Sequence, residues 1–351
     1  MSKKILVAPL NWGLGHATRC IPIIKALEKN SFEPIIASDG VALELLKKEF
    51  PHLISIMLPS YNVTYAEKGS NFKIKLISQI PDIIKAIKQE KKVTKKLIDK
   101  YQIEGIISDN RLGVFSKDVP SVFITHQLNV LTGNTTWFTT KLHHHFVKKF
   151  TECWVPDKEK SPNLSGDLGH LEEPFKNIKY IGPLSRLYKK TSPKKYDLMI
   201  ILSGPEPQRT LLEEKLITEL KGSKEKTLFI KGTIEKEQKV TEENNITYYN
   251  FMNSEQVEIA FNQSDKILSR SGYTTVMDLA QLGKKAFFIP TPGQYEQEYL
   301  AKKFKKEGIA PCCKQEDFEI SKLNKIDLYR GFSNYTTDVS WKKLFCLFQS
   351  K

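Results

Sequence analysis

Cysteine is scarce in this chain. Five residues in 351 (Cys20, Cys153, Cys312, Cys313 and Cys346), odd in number and never spaced as Cys-x-x-Cys, do not suit a disulfide framework, so a reducing compartment is expected. The adjacent Cys312 and Cys313 read as structural. Long apolar runs are also missing. The longest, such as Leu198–Leu202 and Ala286–Ile289, are strand-sized, far short of the roughly 20 residues a bilayer crossing needs. Met1-Ser2-Lys3-Lys4 leads directly into the short apolar Ile5-Leu6-Val7-Ala8, which reads as a first strand and not a secretory segment, so a cytoplasmic protein is expected. Without an export signal, the triplets at Asn62 and Asn134 are coincidental matches to a glycosylation pattern. Acidic side chains are outnumbered: 40 Asp and Glu face 54 Lys and Arg, a formal charge of +14. Such an excess attracts nucleotide phosphates, acidic membrane surfaces or nucleic acid, although dispersed lysines also make an ordinary solvated surface.

What is present describes a globular α/β protein. Hydrophobic residues make up 40% and charged residues 27%. A length of 351 residues exceeds a single core, so two domains are expected. Short β-branched runs at 4–9, 33–38, 53–57, 104–108, 120–124 and 152–155 alternate with helical periodicity, the pattern of βα units around a parallel sheet. Prolines and glycines then punctuate a lysine-rich stretch, and a second series of strands follows at 197–203, 227–231, 246–249, 266–269 and 285–289. The expected division is an N-terminal domain over 1–160, a linker over 161–195, a second domain over 196–335 and a terminal helix over 336–351. In a long helical segment, Leu76, Ile77, Ile80, Ile83, Ile84 and Ile87 recur at helical spacing beside Lys85, Lys88, Lys91, Lys92, Lys95 and Lys96. That combination suits an anionic membrane surface, or a core-facing helix with a solvated outer side.

Three stretches carry chemistry. The first strand runs into Asn11-Trp12-Gly13-Leu14-Gly15-His16-Ala17-Thr18 and then a helix, where Gly13 and Gly15 allow a sharp turn and close approach to a ligand. A dinucleotide site with Asp39 as ribose acid is a rival, but Thr18 replaces the third glycine of that fingerprint. His16 at the helix entrance suits a general base; Asp109 and His126, both at strand ends, are alternatives that replace or orient it. His143-His144-His145 diverge around a helix and cannot chelate one metal together. In the second half, Ser269-Arg270-Ser271-Gly272-Tyr273-Thr274 follows a strand and opens a helix, so its N–H groups can hold a pyrophosphate while Asp278, a turn later, takes a ribose diol. Capping of that helix by Ser271 or Thr274, with Asp278 at the surface, is the plain structural reading. After the next strand, Pro290 to Tyr299 supplies amides and carboxylates suited to sugar hydroxyls.

These residues resemble the donor-binding half of family 28 glycosyltransferases. Ser269-Arg270-Ser271-Gly272, Asp278, Gly283-Lys284-Lys285-Ala286 and Gln297-Glu298-Tyr299 follow that family's order and spacing, and Gly13-Leu14-Gly15-His16 is similar to its glycine-rich loop. The longer Gly-Leu-Gly-His-Ala-Thr-Arg string is closer still to an uncharacterised branch. The resemblance implies a GT-B fold: two Rossmann-like domains whose parallel sheets face one another across a cleft, acceptor in the first and nucleotide-sugar in the second. It implies inverting transfer from a UDP-sugar to a lipid-linked acceptor at the inner face of the cytoplasmic membrane, in cell-envelope synthesis; no cofactor is expected, no acidic cluster in the sequence calls for a metal, and no recognised module or aromatic-interleaved basic platform points to a nucleic-acid partner. By the same resemblance Phe251 and Met252 read uracil, Asp278 holds ribose, Gln297 and Glu298 address the sugar, and Arg186 or Arg270 assists the phosphates together with Ser271, Gly272, Tyr273 and Thr274. One departure stands out: Ser203-Gly204-Pro205-Glu206-Pro207-Gln208 replaces a glycine-rich loop, and its prolines remove N–H donors, leaving Ser203 and Gly204 as the contacts there. A nucleotide-sugar 2-epimerase of the same architecture and a noncatalytic carbohydrate or nucleic-acid binder are the competing readings.

Overall fold

The computed structural model describes residues 2–61, 80–131, 136–233, 235–333, 335 and 339–349. The triplets at Asn62 and Asn134, and Leu76 and Ile77 of the lysine-rich segment, lie outside these residues. These described residues separate into two compact units, one made of 2–61, 80–131, 136–184 and 339–349, the other of 185–233, 235–333 and 335.

The first unit is built in the order β1 (Lys4–Pro9), α1 (Leu14–Lys29), β2 (Glu33–Ser38), α2 (Gly40–Glu49), β3 (Ser55–Met57), α3 (Ile80–Tyr101), β4 (Ile103–Asp109), β5 (Ser121–Ile124), α4 (Thr136–Val147), β6 (Glu152–Val155) and β7 (Ile178–Tyr180). The strands pair in parallel as β3-β2-β1-β4-β5-β6-β7. Ile5, Leu6, Val7, Ile35, Ile36, Ile106, Ile107 and Val122 are fully buried, as expected of strands covered on both faces. The chain leaves β1 toward β2 and β3 and returns on the other side as β4, so the switch in direction falls between β1 and β4. Ligands of open α/β sheets collect at the carboxyl ends of strands at such a point.

Residues 161–184, expected as linker, belong to this unit. β7 is only three residues long, too short to show alternation among prolines and glycines. The segment before it is anchored by Asp157, whose carboxylate accepts the backbone N–H of Leu164 (2.9 Å) and Ser165 (2.7 Å). The stripe on α3 faces the protein: Ala86, Ile87 and Ile83 pack with Leu10, Tyr61 and Phe146, and Leu97, Val93 and Ile98 pack against Ile103 and Ile106. Its lysines at 85, 88, 91, 92, 95 and 96 are exposed, so the core-facing reading describes this stripe. On α4, His143 meets the Phe123 ring edge-on and His144 Nε2 donates to the Leu128 carbonyl at 2.8 Å, which gives these two histidines packing and anchoring roles.

The second unit contains β8 (Tyr196–Ile201), α5 (Gln208–Glu219), β9 (Thr227–Ile230), β10 (Val240–Glu243), β11 (Ile246–Tyr249), α6 (Ser254–Gln263), β12 (Ser264–Ser269), α7 (Tyr273–Leu282), β13 (Ala286–Phe288) and α8 (Tyr295–Lys306). Its strand order is β10-β11-β9-β8-β12-β13, parallel except for the hairpin β10-β11. β10, Val-Thr-Glu-Glu, is exposed throughout and carries no apolar alternation, so the sequence pattern does not announce it. The switch point here lies between β8 and β12.

The terminal helix α9 (Trp341–Gln349) returns to the first unit. Phe345 and Phe348 lie edge-on to Phe32, at 5.6 and 6.3 Å between centroids, and beside Trp154. The Phe348 ring sits directly over Gly105, where a Cβ would lie 2.4 Å from Phe348 Cδ1 and 2.8 Å from Ile5 Cδ1. Gly105→Ala should therefore cost about 1–3 kcal/mol through overpacking. Phe348→Leu in the same chain should return part of that loss; strictly additive losses in urea denaturation would rule out this contact as the cause.

Candidate active-site constellations

At the first switch point, Pro9 of β1 pairs with Asp109 of β4. The loop after β1 therefore lies against the end of β4. Gly13, with φ of 79°, precedes the first turn of α1, and no side chain caps that helix. His16 and Arg19 are three residues apart on α1 and share a face. His16 Nδ1 lies 2.9 Å from Asp109 Oδ1 and 2.7 Å from Arg19 Nη2. Arg19 grips Asp109 with both edges of its fork, Nε to Oδ2 at 2.5 Å and Nη2 to Oδ1. Its Nη1 lies 3.0 Å from His126 Nδ1. Asp109 is fully buried and Arg19 nearly so, while the His16 side chain keeps 14% of its surface exposed.

The three candidate bases, His16, Asp109 and His126, thus converge, but they are not equivalent. Burial alone would raise Asp109; the Arg19 guanidinium, and then His16, hold its carboxyl well below the usual carboxylate range. An acid so strongly ionised is a poor proton acceptor. Arginine can only donate, so His126 Nδ1 must accept from it and its ring proton resides on Nε2, which leaves no lone pair for a base. Loss of hydration pulls His16 below the ordinary imidazole range, with Asp109 pulling upward and Arg19 downward, so His16 is unprotonated near neutrality. Arg19 was not among the candidates read from the sequence; the signal available was its i, i+3 spacing from His16. The dinucleotide rival also loses its acid, because Asp39 pairs with the buried Arg111, which in turn pairs with Glu90 Oε1 at 2.6 Å.

In the second unit, the loops after β8, β12 and β13 meet at the other switch point. α7 begins after Gly272 and has no side-chain cap. Ser271, expected as a cap or phosphate ligand, is fully buried and its Oγ donates to the Gln297 carbonyl at 2.7 Å. Asp278 is 7% exposed instead of lying on the helix surface. Burial pushes its carboxyl up to about 6, against the pull of Arg186 and of Ser185, whose Oγ donates to Oδ1 at 2.6 Å. Tyr273 is also buried, whereas Gly272 and Thr274 are partly exposed.

Two expected ligand contacts are occupied within the protein. Arg270 donates through Nη1 to the carbonyls of Ile289 (3.2 Å) and Pro290 (3.1 Å), and through Nη2 to the Gln208 carbonyl (2.8 Å) and Gln315 Oε1 (2.7 Å). It ties loops together and does not present its charge to a phosphate. Gln297 accepts the Thr291 N–H at 2.9 Å and donates to Gln294 Oε1 at 2.5 Å, fixing the loop after β13 instead of reaching for a sugar. Glu298 is only partly buried and accepts the Gly293 N–H at 3.1 Å. Arg186 donates to Ser254 Oγ at 3.0 Å. Phe251 and Met252 are half-buried, with the Phe251 carbonyl accepting from Gln238 at 2.7 Å. Ser203 is partly exposed; Gly204, exposed and at φ of 112°, faces Thr291 Oγ1. Thr291 Oγ1 and Ser269 Oγ are buried at this edge and, among the described residues, have no hydrogen-bond partner.

Comparison with known proteins places these constellations in context. Residues 208–334 match the glycosyltransferase family 28 C-terminal domain. The chain is 22% identical over 346 residues to the UDP-N-acetylglucosamine--N-acetylmuramyl-(pentapeptide) pyrophosphoryl-undecaprenol N-acetylglucosamine transferase of Haemophilus ducreyi, covering 93% of this chain and 89% of that protein. It is 27% identical over 360 residues to the protein of the same name from Sulfurihydrogenibium sp., with 99% and 95% covered. The crystal structure of MurG from Acinetobacter baumannii matches with a TM-score of 0.59 at 14% identity, covering 99% of each chain, a likeness that establishes the fold.

Proposed function

This chain is a GT-B glycosyltransferase of the family 28 kind, and on that premise we propose that it moves a sugar from a UDP-sugar to a hydroxyl of a lipid-linked acceptor, with inversion at the anomeric carbon. The observation that carries the proposal is the family match over the unit whose switch point holds Asp278 and the uncapped start of α7. Donors named in the curated relatives are UDP-N-acetylglucosamine, and their acceptors are undecaprenol pyrophosphates.

In this reading the diphosphate lies at the first turn of α7, beside Gly272 and Thr274, with Ser203 and Gly204 on the flanking loop. Backbone N–H groups and the helix dipole stabilise charge gathering on the leaving nucleoside diphosphate, and Arg186 adds positive potential. Asp278 accepts a ribose hydroxyl through Oδ2, and Glu298 meets the sugar. His16 takes the acceptor hydroxyl's proton on Nε2 while its Nδ1–H is held by Asp109, the arrangement that stabilises an imidazolium as it forms.

Peripheral membrane attachment completes the proposal. No helix among the described residues is long and apolar enough to cross a membrane. The exposed lysines of α3 accompany exposed Ile84, and α4 presents Trp137 at 72% exposure and Leu142 at 41%. Basic side chains with an interfacial tryptophan suit an anionic bilayer surface.

Three outcomes test these assignments. His16→Ala should lower turnover by about 100-fold or more while leaving donor affinity near that of the parent, measured by steady-state kinetics and calorimetry. Near-normal turnover in a folded His16→Ala protein would remove the base assignment. UDP-N-acetylglucosamine affinity should be level above about pH 7 and fall as pH drops through about 6, because protonation removes the acceptor charge of Asp278. Asp278→Asn should bind more weakly and lose that slope; an unchanged slope would place the titrating group elsewhere. Finally, Trp137→Ser should reduce flotation with vesicles rich in anionic lipid, and equal binding to neutral and anionic vesicles at low salt would contradict membrane attachment through this surface.

A further inference from the structure

We propose that Arg19 is a positioning residue that cancels the charge of Asp109, and thereby lets that carboxylate orient His16 without turning it into an imidazolium. The proposal rests on His16 as the base.

A buried carboxylate facing a histidine ordinarily draws a proton onto the ring, because the resulting ion pair is favourable where water is excluded. Such a histidine is held in place and at the same time blocked as a base. Here Arg19 forms the ion pair with Asp109 in the histidine's stead, with both edges of its fork on the carboxylate and only 2% of its side chain exposed. Arginine does not deprotonate in proteins. The Asp109–Arg19 pair is therefore net neutral, and a proton on His16 would leave a buried excess positive charge with the guanidinium 2.7 Å from Nδ1.

The remaining groups around His16 point the same way. His126, following β5, accepts from Arg19 Nη1 through Nδ1 and is consequently a neutral ring with its proton on Nε2. Cys20, one residue after Arg19, lies 3.7 Å from Asp109 Oδ2, and burial pushes its thiol well up, so it contributes no second negative charge. Among the described residues Asp109 is thus the only anion facing His16 in this cluster, and its charge is matched. The lowered affinity of His16 for a proton, owed first to lost hydration, with Arg19 opposing the upward pull of Asp109, agrees with this geometry.

His16 Nδ1 lies within reach of both an acceptor, Asp109 Oδ1, and a donor, Arg19 Nη2, and the proposed function requires the tautomer that donates to Asp109. Nδ1–H must donate to Asp109 Oδ1 so that the Nε2 lone pair is available. When Nε2 receives the acceptor's proton, Asp109 already holds the opposite edge of the ring, and the imidazolium exists only while the negative charge on the departing diphosphate is developing. An arginine buried solely to stabilise the fold would impose no such dependence on pH.

Imidazole nitrogen NMR of the full chain, with His16→Asn to assign the signals, should find His16 neutral and protonated on Nδ1 at about pH 6.5, and His126 protonated on Nε2. An imidazolium at His16 at that pH, or a proton on His16 Nε2, would overturn the proposal without any variant of Arg19 being required. In Arg19→Gln, His16 should titrate at higher pH, and the acid limb of kcat/KM should move up with it. The deficit relative to the parent should then widen by about tenfold for each pH unit between the new limb and the parent's limb, while KM for UDP-N-acetylglucosamine stays close to the parent value. Arg19→Lys, which keeps the charge but not the fork, should leave the limb nearer its original position. A folded Arg19→Gln protein with an unmoved His16 titration would make Arg19 purely structural. Full turnover in His16→Ala would instead remove the base reading, and the titration of His16 would still report on the charge balance argued for Arg19.

Discussion

Asp109 is a carboxylate buried away from water, and the chemistry proposed for the first unit depends on the interaction that keeps it ionised there. A carboxylate without hydration is tolerated when its charge is matched and its lone pairs are filled. Arg19 does both, and because it stands one helical turn from His16 the same bond fixes the relation between the start of α1 and the end of β4. Parallel pairing of β1 with β4 brings the acid from one strand to the arginine and histidine that follow the other. The turn at Gly13 lets α1 begin close enough for its first two turns to reach Asp109.

The second unit uses side chains from the corresponding sheet edge for a different end. Arg270 and Gln297 spend their hydrogen bonds on loop carbonyls and amides, so the segments after β8, β12 and β13 are held relative to one another before any ligand arrives. In the proposed reaction, preorganisation of this kind lets backbone N–H groups at α7 act as fixed dipoles instead of reorienting. It also explains why a motif can contain an arginine whose charge never faces a phosphate. The buried cation has its affinity for the proton pulled down to about 10 by lost hydration, and its compensation is the set of carbonyls around it.

Much of this was legible in the amino-acid order. β-branched runs located most strands of both sheets to within one or two residues, because strands covered on both faces must be apolar throughout. The glycine loop before α1 and the polar residues at the start of α7 were legible as strand-to-helix turns. β7 and β10 were not, the one being three residues among prolines and glycines, the other an exposed edge strand with no apolar side to betray it. The long lysine-rich helix was readable as amphipathic, but whether its apolar stripe met lipid or protein was a question of what packs on it, and Leu10, Tyr61 and Phe146 do.

The residue types available to each site follow from the sequence: a histidine at a glycine-lined helix entrance, an acid at a strand end, an acid within a helix behind an uncapped turn. Local order encodes these because turns, caps and periodicities are properties of neighbouring residues. Which of them are left free to meet a ligand depends on contacts between residues far apart in the chain, about ninety positions for Arg19 with Asp109 and for Ser185 with Asp278. Arg19 meets Asp109, Ser185 meets Asp278, and Arg270 meets carbonyls from the loops after β8 and β13 only after the strands have paired. Hydrogen bonding and charge balance are pairwise quantities, so a side chain's free valence, and with it the difference between a ligand and a brace, exists only once its partner has been brought alongside.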